Sequence, residues 1–163
     1  MIHHVSISAR NPQHVAEVLA EVMHGQCRPF PPFPGSFMAA NGDEHGTMVE
    51  VYPEDTTLQP GDGEDQQVIG LRGQTAPATC PFHFLLSVPA DREEIERIGA
   101  REGWRTRLFG RGAPGEKPYF HVIEFWLENR LMVELAPETM IGEYTGLMRP
   151  AAMERALAER AAH

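Results

Sequence analysis

Two histidines and two glutamates are set apart by their surroundings. His4 lies in Ile2-His3-His4-Val5-Ser6-Ile7-Ser8-Ala9, and His83 in Cys80-Pro81-Phe82-His83-Phe84-Leu85-Leu86-Ser87-Val88. Aligning His4 with His83 also aligns Ser8 with Ser87, and a helix-like segment follows in both places. The offset is about half the chain, which reads as a duplicated unit. Each unit also carries a glutamate in a late apolar run, Glu50 in Val49-Glu50-Val51 and Glu134 in Val133-Glu134-Leu135. A carboxylate among valines is costly unless it meets a cation, hydrogen-bond donors or water. Two imidazoles and two carboxylates drawn to one point would hold a divalent ion. That donor set suits Ni, Co, Zn, Mn or Fe better than copper(I) or an iron–sulfur cluster. Singly, a histidine at a strand start is usually half-exposed and a glutamate on a half-open sheet usually solvated; the matched placement in both halves carries the metal reading. His3, His14, His24, His45 and His163 have no such context and read as surface residues. His121 is a second candidate for the pocket. Glu124 follows it on the same strand with the opposite facing, so at most one of the two points inward.

The elements that must position these side chains follow from periodicity. Residues 2–9 alternate, with Val5, Ile7 and Ala9 on one side and His4, Ser6 and Ser8 on the other, which predicts a strand. Asn11 caps and Pro12 opens a helix over 12–24, whose apolar stripe is Val15, Val18, Leu19, Val22 and Met23, with Gly25 ending it. The proline-rich 28–35 stretch is excluded as a central strand and reads as an extended edge or a loop. Strands over 36–40 and 47–52 flank an Asn41-Gly42-Asp43 turn, and Met48, Glu50 and Tyr52 share a face. Residues 53–79 read as a connection, with room for a short strand at 67–71. The second half repeats the order: a strand over 83–88, a helix over 91–102 capped by Asp91 and stopped by Gly103, and a strand over 104–109. A glycine- and proline-containing loop over 110–118 precedes strands over 119–127 and 131–136. Pro150 opens a helix with Met153, Ala156 and Leu157 on one side.

Composition narrows the function classes. The chain has 163 residues, and its 42% hydrophobic content supports a real core. A net charge of -9 argues against nucleic acid, whose binding rests on Lys and Arg neutralising phosphates. It also disfavours an anionic membrane surface. Cys27 and Cys80, the two cysteines, lie in different halves, so a structural zinc knot or a disulfide framework is not expected. No signal peptide and no membrane-spanning run is expected, which leads to a cytoplasmic protein.

The His4-Val5-x-Ile7 start, the helix ending in glycine, the Val-Glu-Val strand, the second histidine strand and the closing Val-Glu-Leu strand resemble the vicinal oxygen chelate superfamily. That superfamily includes glyoxalase I, extradiol dioxygenases, methylmalonyl-CoA epimerase, fosfomycin-resistance enzymes and bleomycin-resistance proteins. The resemblance covers about residues 2–137. It implies an α+β fold: two βαβββ units, about 2–52 and 81–137, forming an open cupped mixed sheet in a single domain over 1–163. The helix at about 150–162 would follow. It also implies that His4, Glu50, His83 and Glu134 fall on the four metal-ligand positions of glyoxalase I, with Glu134 or Glu50 as catalytic base. The dioxygenase and fosfomycin branches use the positions of His4, His83 and Glu134 and generally do not need Glu50. The turn Leu127-Glu128-Asn129-Arg130 departs from the Asp-Pro-x-Gly-Asn common in the family, and Val18-Leu19 replaces the usual Phe-Tyr of the first helix. The expected function is a divalent-metal-dependent, glyoxalase-like lyase or isomerase acting on a small oxygenated substrate, as a homodimer. The alternatives are a metal-free drug- or small-molecule-binding protein of bleomycin-resistance type and an extradiol-type dioxygenase. In the binding-protein alternative Phe30, Phe33, Phe37, Trp104, Phe120 and Trp126 would line a groove.

Overall fold

The computed structural model describes residues 2–59, 69–73, 82–111, 117–149, 151–152 and 155. The chain divides into two compact units, Met1–Pro81 and Phe82–His163. Unit 1 contains β1 (His4–Ala9), α1 (Pro12–Val22), β2 (Gln26–Pro29), β3 (Phe37–Ala40), β4 (Met48–Pro53), β5 (Thr57–Gln59) and β6 (Ile69–Leu71). Unit 2 contains β7 (Phe84–Val88), α2 (Arg92–Glu102), β8 (Thr106–Arg111), β9 (Phe120–Leu127), β10 (Leu131–Pro137) and α3 (Glu138–Leu147). Each unit builds one four-stranded mixed sheet in the βαβββ order, β1-β4-β3-β2 in unit 1 and β7-β10-β9-β8 in unit 2. In both, the first strand pairs parallel with the last, and the rest is antiparallel.

The register makes the duplication concrete. Glu50 lies opposite Ser6 in the parallel pair β1–β4, and Glu134 lies opposite Leu85 in β7–β10. Ser6 is two residues after His4 and Leu85 two after His83, so the glutamates occupy equivalent places relative to the two histidines. Alternation does the sorting. In unit 1, Ile7, Ala9, Val49, Val51 and Ala39 are buried, as are Val15, Leu19 and Val22 of α1, and these apolar sets form the core. In unit 2, Ile95 and Ile98 of α2 and Phe125, Val133 and Leu135 of the sheet are buried in the same way.

Both helices begin with the cap expected from sequence. Asn11 accepts from the His14 amide and Asp91 from the Glu94 amide, each satisfying a donor that the first turn leaves unpaired. Both end in the same two-bond motif, but with different residues. In α2, Gly103 takes the left-handed conformation at φ 67, with Trp104 N–H on Gly99 O and Gly103 N–H on Ala100 O. In α1 the left-handed residue is His24, at φ 48, with Gly25 N–H on Ala20 O and His24 N–H on Glu21 O. The helix therefore ends a little earlier than 24, and Gly25 is not its left-handed residue. Gly25 is required for another reason: a Cβ there would lie 2.1 Å from Ala40 O, on the backbone of β3.

Three further differences from the sequence reading matter, and one expectation holds. β7 begins at Phe84, so His83 precedes the strand rather than opening it. β8 runs on to Arg111, because Gly110 and Arg111 pair with His121 and Phe120, so the strand takes the first two residues of the expected 110–118 loop. α3 follows β10 directly, in a stretch where no helix is expected; it buries no residue fully. The proline-rich stretch enters an edge strand, β2, as proline chemistry allows. Of the expected helix at 150–162, residues 151, 152 and 155 are described and are helical, and the rest of it, with much of the 53–79 connection, falls outside the described residues.

The β9–β10 hairpin turns through Glu128 (φ 50) and Asn129 (φ 55), with Arg130 N–H on Leu127 O at 3.0 Å. Two positive φ values in succession make a type I′ turn, whose twist suits a hairpin. Asn129 also accepts from the Arg105 amide at 2.7 Å and donates to Gly103 O at 3.0 Å, tying the turn to the end of α2.

Candidate functional site

On the sheet face opposite α1, alternation gathers His4, Ser6 and Ser8 of β1 with Met48, Glu50 and Tyr52 of β4 and Met38 of β3. Glu50 is buried there, 7% exposed. Its Oε2 accepts from Ser6 Oγ at 2.8 Å and from Tyr52 OH at 3.0 Å. Its Oε1 faces His4 Nε2 at 4.0 Å, too far for a hydrogen bond. The carboxylate is thus held on one oxygen by two neutral donors and turned toward an imidazole with the other. Burial, then the Glu50 charge and the hydrogen bond to it, push the Tyr52 hydroxyl up to about 12. The phenol therefore stays a donor throughout the neutral range. Because its folded value is raised, this contribution to stability is complete below the ordinary tyrosine pKa and is lost as pH rises through about 12. An ultraviolet phenolate titration should contain a component with its midpoint at about 12 that Tyr52→Phe removes. A titration of Tyr52 at the ordinary value would show that its bond to Glu50 does not form.

Phe30 and Phe33 of the proline-rich segment pack on Tyr52, with ring centroids at 6.0 and 5.2 Å. This places two of the expected groove aromatics on the polar face beside Glu50. Phe37 lies on the helix side, opposite Val51. Trp104 is core, edge-on to Phe125 at 5.7 Å. Phe120 meets Tyr144 of α3, edge-on at 5.2 Å. An open hollow of about 440 Å³ lies further along the same face of unit 1, between Arg28, Met38, Ala40 and Met48.

In unit 2 the equivalent face carries Glu134 of β10, Glu124 and Trp126 of β9, and Arg107, Phe109 and Arg111 of β8. Glu124 and Glu134 are directly opposite each other and both buried, 9% exposed. Arg111 lies between them. Its Nε donates to Glu134 Oε1 at 2.9 Å, its Nη2 pairs with the same oxygen, and Nη2 also donates to Glu124 Oε1 at 3.0 Å. Burial works against the guanidinium charge, but the two carboxylates outweigh it and raise its pKa above the ordinary arginine value. Trp126 Nε1 donates to Glu124 Oε2 at 3.2 Å. Both Arg107 and Arg111 approach the Phe109 ring, with Cζ 4.8 and 5.9 Å from its centroid. A hollow of about 340 Å³ borders this face at Arg105, Glu124, Trp126 and Asn129.

The structure therefore places His4 beside Glu50, and Glu134 beside Glu124 and Arg111. His83 is exposed, one residue ahead of β7. His121 is corrected as a pocket candidate. It faces away from Glu124, and its backbone N–H and Nδ1 both engage Glu143 of α3, at 2.8 and 3.0 Å. Of that pair, Glu124 is the residue on the Glu134 face. Arg111 is absent from the sequence reading. The signal for it was the alternation Arg105, Arg107, Phe109, Arg111, which continues the strand through Gly110.

No family model matches the sequence, and neither does any curated protein. Solved structures do match in fold. The chain is similar to the fosfomycin resistance protein FosX from Listeria monocytogenes in its monoclinic form, with a TM-score of 0.54 at 9% identity over 90% of this chain and 95% of that one. The fold is that of FosX. The hexagonal form of the same FosX gives a TM-score of 0.50 at 10% identity, over 88% of this chain and 97% of that one. A lactoylglutathione lyase from Agrobacterium tumefaciens gives 0.48 at 13% identity, over 85% and 93%. At these identities the likeness concerns the fold and leaves the chemistry to the residues.

Proposed function

We propose that the protein is a divalent-metal-dependent enzyme of glyoxalase-like type, a lyase or isomerase acting on a small oxygenated molecule. The proposed ligands are His4, Glu50, His83 and Glu134. The arrangement at Glu50 carries this reading. A buried carboxylate has one oxygen fixed by Ser6 and Tyr52, and its other oxygen lies 4.0 Å from an imidazole nitrogen. His4 Nε2 and Glu50 Oε1 would be the unit 1 donors to such an ion, since imidazole nitrogen and carboxylate oxygen are both ordinary ligands of borderline divalent ions. The two hydroxyl donors act as the outer hydrogen bonds that orient a ligating carboxylate. The donors present in unit 1 therefore fit a borderline divalent ion. In unit 2 Arg111 occupies Glu134 Oε1 through two nitrogens, so an ion there would have to share the carboxylate with the guanidinium. Among the described residues, no three His, Cys, Asp or Glu side chains are gathered around one point.

When bound, the ion would supply Lewis-acid stabilisation to neighbouring substrate oxygens. The chain's own residues would do the rest. Glu50 or Glu134 takes a proton from the substrate carbon, since a carboxylate at the site is within reach of it. Ser6 and Tyr52 keep Glu50 aimed while that happens, and Phe30 and Phe33 shield the Tyr52 side of the face from water. The reading also takes the protein as a cytoplasmic homodimer, with a symmetric copy covering open sheet edges. Among the described residues no helix is long and apolar enough to cross a membrane. Elemental analysis and light scattering on one chromatographic peak, after incubation with nickel or zinc, test both statements. The expected result is one ion per chain and a dimer mass. A metal-free peak overturns the metal reading, and a monomer mass overturns the dimer.

Arg111 favours a second reading, a metal-free small-molecule-binding protein of bleomycin-resistance type. There the guanidinium would neutralise Glu134 permanently, and the polar faces would bind a ligand without chemistry.

A further inference from the structure

We infer that the hollow in unit 1 binds the apolar body of a small amphipathic carboxylate, with Arg28 as the anchor for its charged end. The inference rests on the reading above for one point only, that the other end of the molecule meets the Glu50 site. Three observations carry it. The first is register. Arg28 lies opposite Met38, and Met38 opposite Glu50, so the arginine and the buried carboxylate stand on one cross-strand row of one face. Two strand spacings put their backbones about 10 Å apart. Gln26, Ala40, Met48 and His4 form the neighbouring row of that face.

The second observation is the hollow itself. Its volume is about 440 Å³, which suits a small molecule. Met38, Ala40 and Met48 make its floor, all three half-buried. Methionine is flexible and polarizable, so such a floor takes apolar chains of differing shape. Residues of the 41–47 loop wall it. Asp43 fixes that loop, accepting from the amides of His45 and Thr47 and from the Thr47 hydroxyl, so this carboxylate is engaged within the loop.

The third observation is charge. Arg28 lines the hollow and is exposed, and its Nη2 donates to Gln26 Oε1 at 2.6 Å, which holds the head group on this face. Gln26 is neutral, and among the described residues no carboxylate pairs with Arg28. A guanidinium fork matches a carboxylate with two parallel hydrogen bonds. The chain as a whole carries -9 and repels anions at long range, so selection of an anion falls to this local charge. The substrate class that follows is a medium-length carboxylate. Its apolar stretch crosses Met38 and Met48, and its oxygenated end lies at Glu50 and His4.

The test uses octanoate on metal-free protein, read by the methyl signals of ¹³C-labelled methionine, with Met38→Leu and Met48→Leu to assign the two signals. Wild type, Arg28→Gln, Arg28→Lys and Arg97→Gln are compared. Arg97 is exposed on α2 of unit 2, so its loss changes net charge without touching the hollow. Octanoate is expected to shift the Met38 and Met48 signals. Arg28→Gln should weaken binding about 10-fold, or about 1.4 kcal/mol, the scale of a hydrogen bond to a charged group. Arg28→Lys should fall between, and Arg97→Gln should match wild type. Binding of 1-octanol, which has the chain without the charge, should not respond to Arg28→Gln.

Equal octanoate affinity in wild type and Arg28→Gln overturns the anchor. Binding that leaves both methionine signals unmoved overturns the hollow. Signals that move with protein concentration and not with octanoate put a second copy of the chain there and overturn the ligand. Nickel titration of the same samples reads the metal separately. Octanoate binding without nickel binding keeps the carboxylate site and overturns the metal-dependent reading, and nickel binding without octanoate binding does the reverse.

Discussion

Glu50→Gln is expected to weaken divalent-metal binding by at least ~10–100-fold and to lower turnover on any substrate deprotonated at the site. Glutamine keeps the size of the side chain, so Phe30, Phe33 and Tyr52 can stay in place. What goes is the charge and the basic oxygen aimed at His4. Ser6 and Tyr52 would still find a carbonyl oxygen to donate to, which keeps the cost to the fold low. The substitution is therefore a cleaner probe than Glu50→Ala, which strands two buried hydroxyl donors as well. Isothermal titration on wild type and variant side by side gives the answer. Nearly unchanged metal affinity in Glu50→Gln would remove the reason for preferring a four-ligand, glyoxalase-like site. It would favour the three-ligand alternative of an extradiol-type dioxygenase, with His4, His83 and Glu134. If neither protein binds metal, the binding-protein reading stands, and the substitution alters only ligand affinity.

Phe125→Ala should cost about 3–5 kcal/mol, the range for deleting a fully buried aromatic side chain. Phe125 is 0% exposed and lies on the helix side of the unit 2 sheet, opposite Val133 on β10 and Thr106 on β8. Trp104 meets it edge-on, and Gly99 of α2 comes close enough that a Cβ there would sit 3.4 Å from the Phe125 ring. The ring thus fills the space between α2 and the sheet, and alanine leaves a void that the rigid sheet cannot close. A domain of this size has only about 5–15 kcal/mol in hand, so the loss is a large share of it. Urea melts should show a lower midpoint, with Trp104 fluorescence following the change in unit 2. A shift below about 1 kcal/mol would mean that α2 moves in to fill the void, as happens where packing is loose. The same substitution tests the site indirectly. Glu124 and Glu134 flank Phe125 and Val133 in sequence on the opposite face, so their positions depend on that core staying registered.

Periodicity and punctuation made much of the fold legible. Alternation over 2–9 set β1 and its two faces, the Asn11-Pro12 and Asp91 signals set both helix starts, and Val-Glu-Val and Val-Glu-Leu marked the last strand of each unit. These are local effects, decided by sterics and by the need to cap a first turn, so residues a few positions apart suffice to show them. The pairing of His4 with Glu50 was also readable, because each sits at a matched place in a repeated unit. The Phe30–Phe33–Tyr52 cluster was only half visible, since composition gives aromatics but not which of them fold over a given face. The I′ turn at Glu128-Asn129 had no glycine to announce it.

What sequence alone determined, then, is two βαβββ units, each with a carboxylate on its closing strand. Tertiary structure decided what each carboxylate meets. Glu50 is met by Ser6, Tyr52 and His4, whereas Glu134 is met by a guanidinium from β8. That difference depends on where β8 stops, which is settled by Gly110 and Arg111 pairing with His121 and Phe120. A strand pairing between residues nine and eleven apart is a cooperative outcome of the whole sheet. The local glycine and proline content around 110–118 pointed instead to a loop. The charge state of the two faces follows from that one strand end, because a buried carboxylate takes the nearest cation the fold brings to it.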